Sequence, residues 1–185
     1  MHRRKGFTIA ELIVSIFIGL LLVLTISSVF ILNQRTFRKS NIKAELTQNG
    51  RIVIDLFSRE LRQAKDIVTT LPADDSNPST VAHELKFEDG HITSQIQYVR
   101  YYLNGTLLQR QILVYYFDTD PTIYVLWNDV NQFGSPTESI IEDRVIGENI
   151  SQINFYGDGA ITIEIFLRKL NETTNMQSII DPRNA

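Results

Sequence analysis

Apolar side chains fill the first part of the chain almost without interruption. Residues 7–32 form a run of 26 residues in which Glu11 is the only charged side chain. As an α-helix rising about 1.5 Å per residue, this run is long enough to cross a hydrocarbon core of about 30 Å. We therefore predict a transmembrane helix over residues 7–32.

Beyond residue 32 the apolar positions recur at steps of three and four residues, which is typical of an amphipathic helix. These positions are Ile42, Leu46, Val53, Leu56, Phe57, Leu61, Ala64, Ile67 and Val68. Pro72 and the polar run that starts at Asp74 are expected to end the helix. We predict one helix over residues 7–71, with residues 33–71 outside the membrane and Gly50 as a weak point that permits bending.

From about Val81 the pattern changes to the alternation that indicates β-strands. The predicted strands cover residues 84–88, 92–103, 107–116, 122–127, 150–156, 160–167 and 176–180. Asn104-Gly105 is a strong signal for a hairpin turn, and Gly157-Asp158-Gly159 separates the later pair. Antiparallel strands that bury one face against the helix give an α+β fold, with a β-rich head domain over residues 72–185.

The residues before the apolar run change this picture. Arg3, Arg4 and Lys5 form a basic leader, and Gly6-Phe7-Thr8 follows it directly. A secretory signal has a shorter apolar core and a small-residue cleavage site after it, and no such site follows here. A carboxylate in a membrane helix costs about 2.5–3.5 kcal/mol on insertion scales, so Glu11 requires a partner or access to the headgroups.

Taken together, these N-terminal residues resemble the class III signal of type IV prepilins and of the related pseudopilins of type II secretion. The resemblance implies that a prepilin peptidase cuts between Gly6 and Phe7, which makes residues 1–6 a leader peptide, and then N-methylates Phe7. Glu11 becomes the fifth mature residue and can neutralise the α-amine of a neighbouring subunit, which favours one axial register. The glutamate argues against the large K-type pseudopilin, which characteristically lacks it.

Later motifs resemble one subgroup of this family. Residues 48–51 and 58–64 are similar to the helix of minor pilins of the PilW type and of pseudopilins of the J type (PulJ-like). Two hairpin motifs, residues 96–110 and 149–163, are similar to that group as well, and so is the ending Arg183-Asn184. The segment from about residue 113 to 143 matches nothing in the group, so we expect any subtype-specific surface there.

Charge and composition limit the classes of function. The chain has 185 residues and a net charge of −3, and loss of residues 1–6 leaves 15 basic against 21 acidic residues, a net charge of −6. An acidic chain lacks the basic stripe expected for nucleic acid, and the absence of cysteine excludes disulfides and thiolate sites. The helix charges pair as Arg51/Asp55, Asp55/Arg59 and Arg62/Asp66, which we interpret as surface i,i+4 pairs.

Candidate catalytic and metal-binding residues are few. His83 and His91 have no partner ligands at metal spacing, so we interpret them as solvated turn residues. The acidic pairs Asp74/Asp75 and Asp118/Asp120 lack the alternating oxygen pattern of a calcium loop and favour turns. Trp127 is predicted to lie in the core. We predict no catalytic residue, no metal and no cofactor.

The sequence therefore predicts a structural subunit and not an enzyme. We expect a minor pilin or pseudopilin of a type IV pilus or type II secretion-like filament, within an initiating or tip complex. It would cross the cytoplasmic (inner) membrane once, with a cytoplasmic N-terminus and an extracytoplasmic head. The basic leader favours this orientation by the positive-inside rule, whereas the basic residues after the span favour the opposite one: Arg35, Arg38, Lys39 and Lys43. The expected partners are a prepilin peptidase and other minor and major pilins or pseudopilins.

Two alternatives stay open at this point. One is a competence or adhesion pilin whose head binds DNA or a surface. The other is an unprocessed, signal-anchored membrane protein with an external catalytic or sensing domain. In the second case Glu11 would be dispensable, and activity would survive deletion of the helix.

Overall fold

The computed structural model describes residues 8–77, 81–91 and 94–183. Within these ranges the chain forms one helix and nine strands, in two compact units, Met1–Ile42 and Lys43–Ala185. The elements are α1 (Ile9–Leu61), β1 (Asp66–Ile67), β2 (Glu84–Glu88), β3 (Tyr98–Asn104), β4 (Leu107–Phe117), β5 (Asp120–Tyr124), β6 (Thr137–Gly147), β7 (Ile150–Tyr156), β8 (Ile161–Lys169) and β9 (Glu172–Ile180).

The strands form two antiparallel sheets. Sheet A has the order β1-β2-β3-β4-β5, and β6 pairs with the other edge of β4. Sheet B has the order β7-β8-β9. Backbone hydrogen bonds of 3.2 and 2.8 Å between Ala82 and Phe155 join the segment before β2 to β7.

The core lies between the last part of α1 and the two sheets. The buried residues of α1 recur at steps of three and four: Leu46, Gly50, Val53, Phe57 and Leu61. Phe57 is 0% exposed, and its ring centroid lies 4.3 Å from that of Tyr101 in β3 and 5.6 Å from that of Phe155 in β7. This packing of one helix against antiparallel sheets confirms the predicted α+β fold class.

The predicted end of the helix at about residue 71 was wrong, because α1 ends at Leu61. The chain leaves the helix through a tight turn, in which Ala64 N–H donates to the Leu61 carbonyl at 3.1 Å. The backbone then pairs with β2: Lys65 N–H donates to Glu88 O at 3.0 Å and Val68 N–H to Lys86 O at 2.9 Å. Apolar spacing at Ala64, Ile67 and Val68 fits a helix and this β-pairing alike, and the sheet edge supplies the backbone partners.

Most strand predictions are confirmed, with shifts at the ends. Strands β2 and β7 have the predicted bounds, and the turn after Asn104 joins β3 to β4. The strand predicted over residues 92–103 is observed from Tyr98, and residues 92–93 lie outside the described ranges. Strands β1 and β6 were not predicted. Trp127 is 40% exposed, so its predicted core position was wrong; Lys86 Nζ lies 5.7 Å from its ring centroid.

Gly50 marks a close approach of two elements. A Cβ added at this residue would overlap Sδ of Met176 in β9 and lie 3.1 Å from Cδ1 of Leu167 in β8. The missing side chain therefore lets sheet B pack closely against α1. This contact gives Gly50 a packing role in place of the bending that we predicted from helix propensity alone.

The turn between β7 and β8 depends on Gly157. Its φ is 135°, and an added Cβ would overlap the backbone carbonyl oxygen of Ala160. At Gly159 φ is 83°, but an added Cβ meets open space. We expect Gly157→Ala to cost about 3 kcal/mol in free energy of unfolding and Gly159→Ala about 1 kcal/mol, measured by urea unfolding. Equal losses would contradict the steric part of this argument.

Candidate functional site

The sequence-predicted site residues lie at the N-terminus of the chain. Gly6 and Phe7, the predicted cleavage and methylation residues, lie outside the described residues. Glu11, the predicted assembly carboxylate, lies in the first turn of α1 and is exposed. The geometry of this site is therefore built from Thr8 onward.

Glu11 forms a capping box with Thr8 at the start of α1. The Thr8 N–H and the Thr8 hydroxyl both donate to Glu11 Oε2 at 2.9 Å, and Glu11 N–H donates to Thr8 Oγ1 at 3.3 Å. In this motif a Ser or Thr cap and an acidic residue three positions later satisfy each other's free backbone donors. The chain carries the signal of this motif as Thr-x-x-Glu, although the prediction from sequence did not include it.

Three hydroxyls in the apolar part of α1 bond to the backbone of the same helix. The side chains of Ser15, Thr25 and Ser28 donate to the carbonyls of Glu11, Leu21 and Leu24, each at 2.8 Å. Such bonds to the carbonyl four residues earlier satisfy these hydroxyls within the helix, which suits a medium that offers no partners of its own.

This helix also has the length and composition of a membrane span. In the described part of the chain, α1 is the one helix long and apolar enough to cross a membrane, and its apolar window is wholly exposed. Exposed side chains such as Ile16, Phe17 and Phe30 are 60% or more accessible. Isolated in water this surface would be unfavourable, and lipid or neighbouring helices would cover it.

A second polar site lies in the head, between α1 and sheet A. Arg110 in β4 donates through Nε to both carboxylate oxygens of Glu60, at 3.0 and 3.1 Å, and its Nη2 lies 2.9 Å from Oε1. The side chains of Arg110 and Glu60 are only 9% and 12% exposed. The Tyr101 hydroxyl donates to the same carboxylate.

The electrostatics of this cluster follow from its burial. Burial raises the pKa of Tyr101, and the charge of Glu60 raises it further. Burial by itself would lower the pKa of Arg110, but the hydrogen bond and charge of Glu60 outweigh it and raise that pKa. Because Glu60 comes from α1 and its partners come from β3 and β4, the cluster is a structural tie between α1 and sheet A.

The ion pairs of the helix differ from those that we predicted. Asp66 lies in β1, so the predicted helical pair Arg62/Asp66 was wrong. Glu60 pairs instead with β4, and Glu45 pairs with Lys169 at the end of β8. Spacing along one helix could not reveal either contact, because both partners come from strands more than 40 residues away.

His91, Asp74 and Asp120 make local contacts, whereas His83 contacts the backbone of β7, 70 residues along the chain. His83 Nδ1 lies 2.9 Å from Ile153 O, and His91 Nδ1 lies 2.8 Å from Asp89 Oδ1. Asp74 accepts hydrogen bonds from Ser76, and Asp120 accepts them from Thr122, as expected for turns. Among the described residues, no group of three or more His, Cys, Asp or Glu side chains is placed to hold a metal ion.

Buried tyrosines give the head a pH dependence. Burial raises the pKa of Tyr98, Tyr101 and Tyr115, with Glu138 adding to the effect at Tyr115. Each phenol therefore holds its proton more tightly in the native state than in the unfolded state. Its contribution to stability is complete below the ordinary tyrosine pKa of about 10 and is lost as the pH rises above that value.

We therefore expect alkaline unfolding of the head that begins near pH 10. Absorbance of tyrosinate and fluorescence of Trp127, the single tryptophan, should be followed in one titration. The tyrosinate signal of the buried rings should appear together with the loss of the native Trp127 signal. Complete ionisation of all seven tyrosines in a head that stays folded would contradict the assignment.

Comparison with known proteins identifies the N-terminal segment. Residues 1–32 match the family model described as the prokaryotic N-terminal methylation motif. No curated protein and no solved structure gives a significant match to the chain. The motif supports a type IV pilin-like protein, and it implies processing by a prepilin peptidase and assembly with other pilins. Pilins as a family are structural proteins. With the apolar helix, it supports anchoring through a single N-terminal membrane span.

Proposed function

We propose that the chain is a minor pilin or pseudopilin of the PilW/J type, a subunit of a type IV pilus or a type II secretion-like filament. The observation that carries the proposal is the methylation motif over residues 1–32, joined to an apolar helix in which Glu11 is the only charge before Arg35. A prepilin peptidase cuts between Gly6 and Phe7, and Phe7 is then N-methylated. The head lies outside the cytoplasmic membrane, within an initiating or tip complex.

Glu11 acts in assembly by exchanging partners. In the single chain its carboxylate is held by Thr8, through two hydrogen bonds that need no second subunit. In the filament, the α-amine of Phe7 from a neighbouring subunit forms an ion pair with this carboxylate, because neither charge is well tolerated alone in lipid. The cap thus keeps the carboxylate satisfied until the neighbour arrives, and the ion pair then favours one axial register.

The first test of this function is the mass of the processed chain. The chain is coexpressed with a prepilin peptidase, extracted from the membrane and measured intact. The expected product lacks Met1–Gly6 and carries one additional methyl group on Phe7. An uncut chain, beside a control prepilin that the same peptidase cuts, would contradict the proposal and favour a signal-anchored protein.

Substitutions at Glu11 separate its charge from its capping role. Glu11→Gln keeps a side chain that can complete the capping box but removes the charge. We expect normal cleavage and at least about a tenfold loss of the chain from sheared filaments, since an unpaired amine in lipid costs a few kcal/mol. Thr8→Val removes both hydroxyl bonds of the cap but keeps the backbone bond and the charge, so it should retain most of the incorporation. Loss in Thr8→Val with normal incorporation of Glu11→Gln would show that the cap matters and the charge does not.

A further inference from the structure

Strand β6 leaves one edge of sheet A open. It is 11 residues long, whereas strands usually have about 5–6 residues. Within the described ranges it pairs with β4 alone, and no other backbone group bonds to it. About half of its backbone N–H and C=O groups therefore point away from the sheet without a strand to receive them.

The protection that natural sheets give to such an edge is incomplete here. Two register shifts against β4, at Ile141 and Ile146, twist the strand locally, as bulges do. Yet three aliphatic side chains stay about half exposed: Ile140 at 51%, Ile141 at 52% and Val145 at 46%. Val145 and Ile146 also line a groove with Asn49 and Ile52 of α1. Apolar exposure beside free backbone groups is typical of a site for strand addition.

The two faces of β6 differ in their charge balance. On one face Glu142 lies 3.6 Å from Arg110 Nη1 and 3.0 Å from Arg144 Nε, so arginines neutralise it. On the other face the acids Glu138 and Asp143 pair across with Tyr115 and Gln111, and accept hydrogen bonds from these neutral side chains. Among the described ion pairs, one reaches these acids: Lys86 Nζ lies 4.0 Å from Glu138. Arg100, which forms its own ion pair with Glu84, also interacts with the charge of Glu138.

Ile140 and Val145 share this second face, because they pair with Leu113 and Gln109 on the same side of β4. The face therefore presents the order acidic, aliphatic, acidic, aliphatic: Glu138, Ile140, Asp143 and Val145. Directly opposite side chains of two strands lie about 4.5–5.5 Å apart, so opposite charges attract and like charges repel there. This alternation of acidic and aliphatic side chains therefore favours a partner strand with basic and aliphatic side chains at the opposite positions.

We infer that the free edge of β6 accepts an extended strand of another filament subunit, one that alternates basic and aliphatic side chains on the face shared with Glu138, Ile140, Asp143 and Val145. The backbone of the incoming strand satisfies the free N–H and C=O groups of β6, and its basic residues neutralise Glu138 and Asp143. Only the source of the strand, a neighbouring subunit, rests on the proposed function. The surface falls largely within the segment that matches nothing in the PilW/J group, which fits a role in the choice of partner.

Hydrogen exchange on the full-length chain in detergent tests this inference. The probes are two nine-residue peptides with threonine at every even position, so that the odd positions share one face of a strand. In one peptide the odd positions alternate lysine with valine, and in the other they alternate glutamate with valine. We expect the lysine peptide to slow exchange of the amides in residues 137–147, and the glutamate peptide to bind about tenfold more weakly or worse. Equal binding of both peptides, or binding that leaves residues 137–147 unprotected, would overturn the inference. So would protection of β6 by self-association without peptide.

A charge variant on β6 provides the matched comparison. Asp143→Lys should reduce the preference for the lysine peptide by about tenfold, while Asp158→Lys, the same charge change in the β7–β8 turn, should leave it unchanged. Asp143→Asn, which keeps the shape of the side chain, should give an intermediate preference. Loss of preference in the Asp158→Lys chain would reveal a general charge effect and overturn the inference.

The two proposals fail separately in these experiments. Peptide binding needs neither cleavage nor methylation, so a chain that binds the lysine peptide but is not cut contradicts the filament function alone. A chain that is cut and methylated but shows no protected β6 contradicts the strand-addition site alone.

Discussion

Phe57→Ala is expected to lower the free energy of unfolding of the head by about 3–5 kcal/mol. The ring is 0% exposed and packs on Tyr101 of sheet A and Phe155 of sheet B, so its removal opens a cavity where three elements meet. Tyr101 and Phe155 cannot move into this cavity easily, because strand pairing holds each of them in its own sheet. The loss should therefore lie near the upper end for a core phenylalanine.

The measurement is urea unfolding of the full-length chain in detergent, followed by the fluorescence of Trp127. This single tryptophan lies after β5, so its signal reports on the head and not on the apolar segment. Ile52→Ala serves as the matched control, because Ile52 lies on the same helix and is 55% exposed. We expect it to cost less than about 1 kcal/mol. Similar losses in both variants would show that α1 does not pack through Phe57.

The same contacts show how far the sequence predicts the fold. Periodicity placed Leu46, Val53, Phe57 and Leu61 on one face of the helix, and all four are buried. Alternation and turn residues placed β2, β4, β7 and β8, because half-buried hairpin strands carry both signals. These features are local, and a pattern of a few residues encodes them.

The features that the sequence did not predict depend on partners distant in the chain. Strand β6 is mostly exposed on both faces, so no period of two marks it, and only its pairing with β4 makes it a strand. Ile67 and Val68 fit a helical period, yet their backbone pairs with β2. Propensity and periodicity are weak where tertiary pairing decides the backbone conformation.

The N-terminal site is a different case, since its residues were found by resemblance and its geometry by the structure. The sequence singled out Glu11 as a charge that needs a partner, and the structure supplies one in Thr8. Hydrogen bonds within the first turn are short-range, so the Thr-x-x-Glu spacing already contained this information. The pair Glu60–Arg110, by contrast, joins residues 50 positions apart. No spacing of residues within the helix could have predicted it.

Arg110→Leu is expected to destabilise the head by about 3–5 kcal/mol. The substitution removes the cation that binds the Glu60 carboxylate, whose side chain is only 12% exposed, and leaves the Tyr101 hydroxyl as its remaining donor. Glu60→Leu should cost less than Arg110→Leu, because Glu142, 3.6 Å from Arg110 Nη1, stays as a partner for the guanidinium. The exposed pair Glu45–Lys169 gives the matched control, and Glu45→Leu should cost less than about 1 kcal/mol.

The double variant Glu60→Leu/Arg110→Leu decides what the pair contributes. Replacing both partners leaves no charge of this pair buried alone, and the two leucines add apolar contacts, so its loss should be smaller than either single loss. Urea unfolding of the four chains completes a double-mutant cycle, and the coupling energy should then reach about 3 kcal/mol or more, the size of one single loss. Additive losses would show that Glu60 and Arg110 act independently. A double variant as stable as the parent would mean that this ion pair fixes which face of α1 meets sheet A and adds little net stability to the head.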